Sequence, residues 1–354
     1  MGCFCGFVIL SYYAVIAGWT VAYMFKSFGG LMSDAAAGKA GDVFGAFVSD
    51  PVQSIAYHIA VMAVTTGIVF KGISGGIEKS CKVLMPALFA ILLILIVRSV
   101  TLPGAGAGLE FYVKPDFSKL FSQALLAAVG QGFFSLSLGM GCMITYGSYL
   151  GKNDYLPSIA RTVVMLDTSV AILAGFVIFP AVFAFGIEPG AGPGLTFVTL
   201  PAVFAKMPMG SVFSFAFFLL LFIAALTSAI SLLEVVVTYA IDQMKWNRAK
   251  AAIVMGTAIA LLGIPSALSV GGHIPQIAGK DFLDAADFIT NNVIMPLGGI
   301  FISVFVGWVW SDGAKAEVTD NGKLVFPMYT AWLWMCRVVA PVSIAAIFIT
   351  GLKW

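Results

Sequence analysis

Residues 131–142 read QGFFSLSLGMGC, with Gly130 just before them, and lie inside the run 121–151, which carries no Asp, Glu, Lys or Arg. A run of this length can cross about 30 Å of hydrocarbon, which takes about 20 helical residues. Gly139 and Gly141 stand two apart within it, each about 1 kcal/mol less favourable in a helix interior than alanine. The pattern predicts a helix that enters the membrane, unwinds near its middle and resumes. Unwinding would present carbonyl oxygens and the hydroxyls of Ser135 and Ser137 to a cavity, in the manner of the broken helices that hold ions and anionic groups. The same glycines also suit close packing between helices, and at this point both readings stand.

Working outward, eight further runs are uncharged or nearly so: 1–25, 51–70, 83–97, 162–187, 209–241, 251–279, 288–311 and 324–352. Only Asp167, Glu234 and Arg337 interrupt them. Over the 354 residues 60% are hydrophobic and 10% charged, and the mean hydropathy is +1.01. Soluble domains carry about 25% charged residues, so a water-soluble globule is excluded. The runs are too long and too weakly alternating for an outer-membrane barrel. Helices satisfy their own backbone groups in lipid, so the fold class is all-α, polytopic, with about nine transmembrane helices in a cell (inner) membrane. Trp19, Trp246, Trp308, Trp310, Trp332 and Trp334 fall towards run ends, as interface anchors do. Placing the N-terminus inside leaves a slight excess of Lys and Arg on the inner side, with the 245–250 loop cytoplasmic.

Several classes of function drop out. A net charge of +2 offers nucleic acid no attracting field. Cys3, Cys5, Cys81, Cys142 and Cys336 form neither a disulfide framework nor a zinc spacing. His58 and His273 stand apart from any metal-binding cluster and read as polar residues near a helix end or loop. With no catalytic motif in the chain, it is not expected to be an enzyme.

Polar groups within the runs carry more information. A carboxylate at Asp167, among Met165, Leu166 and Val170, costs about 2.5 to 3.5 kcal/mol on insertion scales and belongs on a cavity or ion pathway. No Lys or Arg lies near it in the sequence, so a bound cation is its natural counter-charge. Thr227 and Ser228 offer two neutral oxygens suited to a monovalent cation, although a mid-span hydroxyl taken alone more often bonds back to the i−4 carbonyl. Glu234 and Arg337 could form a structural pair or lie where long side chains snorkel.

Taken together, the motifs resemble those of the neurotransmitter:sodium symporters, in particular their bacterial amino-acid-transporting branch. SYYAVIAGW at 11–19 is similar to the family's third helix, GIEKSCKVLMP at 76–86 to the entry of its fifth, and AVGQGFFSLSLGMG at 128–141 to its interrupted sixth. GLTFVTLPAVF at 194–204 resembles the loop between helices seven and eight, FIAALTSAISLLE at 222–234 the eighth, and FLDAADF at 282–288 the mouth of the tenth. The order is the family's along the whole chain.

The resemblance implies a transport site. Tyr13 matches the hydroxyl that holds the substrate carboxylate and Ile9 a pocket wall. Phe134 matches an aromatic lid, Ser137 and Met140 the pocket lining, and Leu232 a further wall, with Ser228 at the substrate's edge. Ser135 and Asp167 match ligands of a first sodium; Ala224, Thr227 and Ser228 match a second. Asp287 matches an extracellular gate carboxylate, and Asp242 with Tyr149 the cytoplasmic gate. The thioether of Met140 and the side chain of Leu232 make the pocket apolar and adaptable, so the expected substrate is a hydrophobic or aromatic L-amino acid. Ala171 offers no hydroxyl where chloride-dependent relatives use a serine, so chloride is not expected.

The implied architecture is one transmembrane domain, 1–354. Residues 1–102 match helices three to five of a five-plus-five inverted repeat, 119–311 the second repeat, and 324–352 a final helix. The family's first two helices, which contribute to both sodium sites and carry an arginine for the gate, have no counterpart in these residues. The expected activity is therefore sodium-coupled symport by alternating access, in an N-terminally shortened form. The alternative is a non-transporting remnant, or an assembly partner of a split transporter. A homodimer is the protein partner the resemblance allows, and the lipid bilayer is the surrounding medium.

Overall fold

A computed structural model of the chain describes residues 1–117, 123–151, 154–187, 192–320, 322 and 324–352. The first two residues of the 121–151 run, and Lys119 at the expected start of the second repeat, lie outside them. In chain order the helices are α1 (Gly2–Lys26), α2 (Leu31–Ala36), α3 (Ala40–Val48), α4 (Pro51–Phe70), α5 (Ile73–Val100), α6 (Ala105–Val113), α7 (Gln123–Ser135) and α8 (Cys142–Gly147). They continue with α9 (Leu156–Ala184), α10 (Gly192–Ala205), α11 (Gly210–Met244), α12 (Arg248–Val270), α13 (Phe282–Val309), α14 (Ser311–Val318) and α15 (Tyr329–Gly351). Eight of these are long and apolar enough to cross a membrane: α1, α4, α5, α9, α11, α12, α13 and α15. The ninth expected span is divided into α7 and α8 by a turn over 136–141, so the protein is all-α and the break falls on the glycine-rich stretch.

Contacts divide the chain into two compact units. The larger comprises Val8–Pro115 and Val170–Ala285, the smaller Met1–Phe7, Asp116–Ser169 and Ala286–Trp354. At one end of the larger unit Phe197 of α10 stacks on Phe44 and Phe218, with centroids 5.3 and 5.8 Å apart, and meets Tyr23 edge-on at 5.1 Å. Such pairs contribute about 0.5 to 1.5 kcal/mol beyond their buried area. Trp19 joins this cluster, 5.7 Å from Phe197 and only 3% exposed. It is therefore a core residue rather than the interface anchor its position near a run end suggests.

Several buried polar groups in the larger unit find partners on neighbouring helices. Glu234 on α11 is fully buried and receives two hydrogen bonds from Arg248 at the start of α12, at 3.1 and 2.5 Å. The same guanidinium donates from Nε to the Val69 carbonyl at 3.0 Å. His58 is buried in the middle of α4, with Nε2 2.9 Å from the Ala260 carbonyl, and a Cβ on Gly263 would meet its ring at 2.4 Å. A helix end is thus the wrong place for His58, whereas His273 does sit in the loop after α12, 2.9 Å from the Ser49 carbonyl. Outside the spans, Asp50 caps α4 by accepting from the Gln53 and Val52 amides at 3.1 and 2.9 Å. Those bonds, with the Gln53 backbone first, hold its carboxyl below the usual carboxylate range.

Several helices widen into π turns, at Ile73–Glu78, Leu195–Thr199, Thr290–Ile294, Phe305–Val309 and Met335–Val339. Pro201, Pro296 and Pro341 each follow such a turn by two residues. Proline lacks the N–H that the fourth carbonyl before it would accept, so the ladder there must be rearranged.

Candidate functional site

In the smaller unit α7 ends on a pair of bonds that define a reversal. Ser137 N–H donates to the Phe134 carbonyl at 2.9 Å and Leu138 N–H to the Phe133 carbonyl at 3.0 Å. This is a Schellman cap, whose left-handed position is usually glycine; here it is Ser137, at φ 55°. Gly139 and Gly141 follow at φ 81° and 87°, and Gly141 starts α8. A Cβ on Gly139 would stand 2.5 Å from the Met295 carbonyl, and one on Gly298 2.8 Å from the Gly139 carbonyl. The glycines thus serve both readings of the sequence, since they permit the unwound backbone and let α13 approach it.

The break leaves Ser135 at the last position of α7. Its hydroxyl donates to Asp167 Oδ1 on α9 at 2.6 Å. A serine that spends its proton on a carboxylate keeps its oxygen lone pairs for another partner. Two oxygens of different charge type, one anionic and one neutral, then stand side by side on a half-buried part of the unit. Phe134, next to Ser135, lines a cavity of about 300 Å³ with Gln131, Asn291, Asn292 and Pro296. Phe134 and Ser137 are half-buried and Met140 is buried.

In the larger unit the expected residues fall on two helices. Ile9 and Tyr13 lie one turn apart on α1, Ile9 buried and Tyr13 half-buried, with the Tyr13 hydroxyl close to Ser228 on α11. Thr227 donates to the Ala224 carbonyl at 2.9 Å, and Ser228 to the same carbonyl at 3.2 Å. Ser231 repeats the pattern one turn on, donating to the Thr227 carbonyl at 3.0 Å. The bonding back to the helix foreseen for a mid-span hydroxyl is therefore what α11 does, and it leaves the Thr227 oxygen lone pairs free. Leu232 is buried one turn beyond Ser228.

The gate residues fall on three separate stretches of the chain. Asp287 accepts from Asn291 Nδ2 at 2.7 Å, both in the mouth of α13. Asp242 is exposed near the end of α11, and Tyr149 follows α8, its ring 6.4 Å from that of Tyr146. Sequence reasoning missed Asn291, whose Oδ1 is buried and has no hydrogen-bond partner among the described residues, although its amide group holds Asp287. A signal was present: Asn291 lies in a π turn ahead of Pro296, where side chains are re-aimed.

Known proteins resemble the chain in sequence and in fold. The profile of the sodium:neurotransmitter symporter family matches residues 49–354. An uncharacterized sodium-dependent transporter, YhdH of Bacillus subtilis, is 38% identical over 97% of this chain and 76% of its own length. A second, from Haemophilus influenzae, is 39% identical over 99% of the chain and 78% of its own. Among solved structures, that of MhsT in complex with L-phenylalanine is 44% identical and superposes with a TM-score of 0.88, covering 99% of this chain and 80% of MhsT.

Proposed function

Because the chain belongs to the sodium:neurotransmitter symporter family, a family of sodium-dependent membrane transporters and not of enzymes, we propose that it carries a hydrophobic or aromatic L-amino acid inward with sodium, by alternating access. The single observation that carries the reading is the Ser135–Asp167 pair at the broken span. A carboxylate at membrane depth needs a counter-charge, and hard monovalent cations take oxygen ligands.

In this reading Asp167 and Ser135 hold one sodium, and Ala224 through its carbonyl, with the Thr227 and Ser228 oxygens, holds a second. Tyr13 gives its hydroxyl to the substrate carboxylate. The near absence of charge among Phe134, Ser137 and Met140 in the smaller unit, and around Ile9 and Leu232 in the larger, favours an apolar side chain. MhsT was solved with L-phenylalanine, an amino acid of that class. Asp287 serves the outer gate, Asp242 and Tyr149 the inner. Asp167 supplies a fixed negative charge and Ala171 no hydroxyl, so chloride is not required.

The test is uptake of radiolabelled phenylalanine, leucine or tryptophan into proteoliposomes holding the purified chain, with a sodium gradient and then with potassium replacing sodium. Uptake that needs sodium and persists when gluconate replaces chloride is expected. Uptake indifferent to sodium, or lost with chloride, would overturn the corresponding part.

A further inference from the structure

In the smaller unit α13 and α15 meet through their π turns, Phe305–Val309 and Met335–Val339. Pro341 denies the Arg337 carbonyl its helical donor, and Trp308 Nε1 supplies one at 3.2 Å. Widening shifts the Cys336 carbonyl towards position 341, where there is again no N–H, and the Ser303 hydroxyl donates to it instead at 2.7 Å. Arg337 Nε completes the seam by donating to the Gly307 carbonyl at 2.6 Å. One N–H of this guanidinium is therefore structural. Its terminal amino groups remain available, with the Trp308 ring 5.3 Å away, and among the described residues no carboxylate pairs with it. A cation within a membrane span costs about 2.5 to 3.5 kcal/mol and calls for a counter-charge.

Beside this seam runs a groove of about 420 Å³. Trp332, Cys336, Ile302, Met143, Gly139 and Ile344 are among the residues that line it, and the lining is almost wholly apolar. From Trp332 to Ile344 is about 18 Å at 1.5 Å per residue, close to the roughly 15 Å of hydrocarbon in one leaflet. Trp308, Trp310 and Trp334 lie in or directly beside the two π turns and are all more than 40% exposed; tryptophan in that setting marks headgroup depth. A free inorganic anion would leave the apolar length unused.

We propose that this groove binds one acyl chain of an anionic phospholipid, whose phosphate pairs with the free amino groups of Arg337. The headgroup answers the guanidinium charge and the chain covers the apolar wall up to Gly139, so the lipid packs against the backbone of the broken span.

The test reads bound lipid rather than transport. The purified full chain, reconstituted in nanodiscs of equal parts phosphatidylglycerol and phosphatidylcholine, is released into mild detergent and its retained lipids counted by native mass spectrometry. One retained lipid per chain is expected, enriched in phosphatidylglycerol roughly fivefold, as one basic group worth about 1 kcal/mol gives. Arg337→Gln should bring the enrichment to parity, Arg337→Lys should keep it, and Ala340→Phe, which fills the groove, should remove the retained lipid of either kind. Parity in the native chain, enrichment surviving in a monodisperse R337Q protein, or a lipid surviving A340F would each overturn the proposal. A lipid-free dimer, in which a second copy covers the face, would overturn it too.

Discussion

The broken span and α11 both carry hydroxyl groups expected to meet sodium, yet they use their backbones in opposite ways. Across 136–141 the helical ladder is interrupted and Ser135 turns its proton outward, to a carboxylate on another helix. Along α11 the ladder runs unbroken for 35 residues, and Thr227, Ser228 and Ser231 return their protons to carbonyls of the same helix. The first arrangement depends on tertiary approach and backbone strain; the second needs only a helix. Substitutions in the first should therefore act on folding and ion binding together, whereas shape-conserving removal of the Thr227 hydroxyl in the second should act on ion binding alone.

The largest effect should come from Gly139→Ala. The new Cβ would lie 2.5 Å from the Met295 carbonyl on a backbone at φ 81°. Overpacking of about 1 to 3 kcal/mol adds to about 1 to 2 kcal/mol for the left-handed conformation. The melting temperature in detergent should fall steeply and monodisperse yield should drop several-fold. The matching change in α11, Ala225→Gly, should cost only about 1 kcal/mol. Equal melting shifts for the two variants would break the comparison.

Next is Asp167. Asp167→Asn keeps a partner for the Ser135 hydroxyl and removes the charge; Asp167→Ala removes both. Hydrogen bonds to charged groups are worth about 1.5 to 3 kcal/mol, or roughly 10- to 100-fold in affinity. Sodium half-saturation of uptake should rise by about tenfold for D167N and by more for D167A. A variant with unchanged sodium dependence would remove Asp167 from the ion site.

Much of this was legible beforehand, for physical reasons that differ by residue. Charge-free runs reveal spans because lipid penalises every ionised group, and the break was visible because Gly139 and Gly141 oppose a helix. Asp167 stood out through cost alone. What stayed hidden depends on neighbours distant in the sequence. Trp19 joins Phe197 through an aromatic cluster no periodicity announces, His58 occupies space vacated by Gly263, and Glu234 finds Arg248 on the next helix. The partner of Gly139 is a carbonyl, which leaves no mark in composition.

In α11, Thr227→Val keeps the shape and deletes the hydroxyl. Because that hydroxyl bonds only within its own helix turn, the melting temperature should stay nearly constant. Sodium half-saturation should rise several-fold, corresponding to about 1 kcal/mol for one neutral ligand. A large loss of stability with unchanged sodium dependence would make Thr227 structural and cancel the contrast with Ser135.

The smallest effect sharpens the comparison most, because its sign differs between the two regions. Ser137 occupies the left-handed position of the Schellman cap at φ 55°, where glycine pays no Cβ penalty. Ser137→Gly relieves about 1 to 2 kcal/mol of conformational strain and gives back about 0.4 to 1 kcal/mol through the more flexible unfolded chain. The net should be a slight gain in melting temperature. Ser231→Gly, in the uninterrupted ladder, loses both its bond to the Thr227 carbonyl and helix propensity, about 0.5 kcal/mol for the latter, and should melt lower. Paired melting curves in one detergent read the two signs directly. If both variants melt lower, the turn after α7 is held by Ser137 itself rather than by the backbone conformation it adopts.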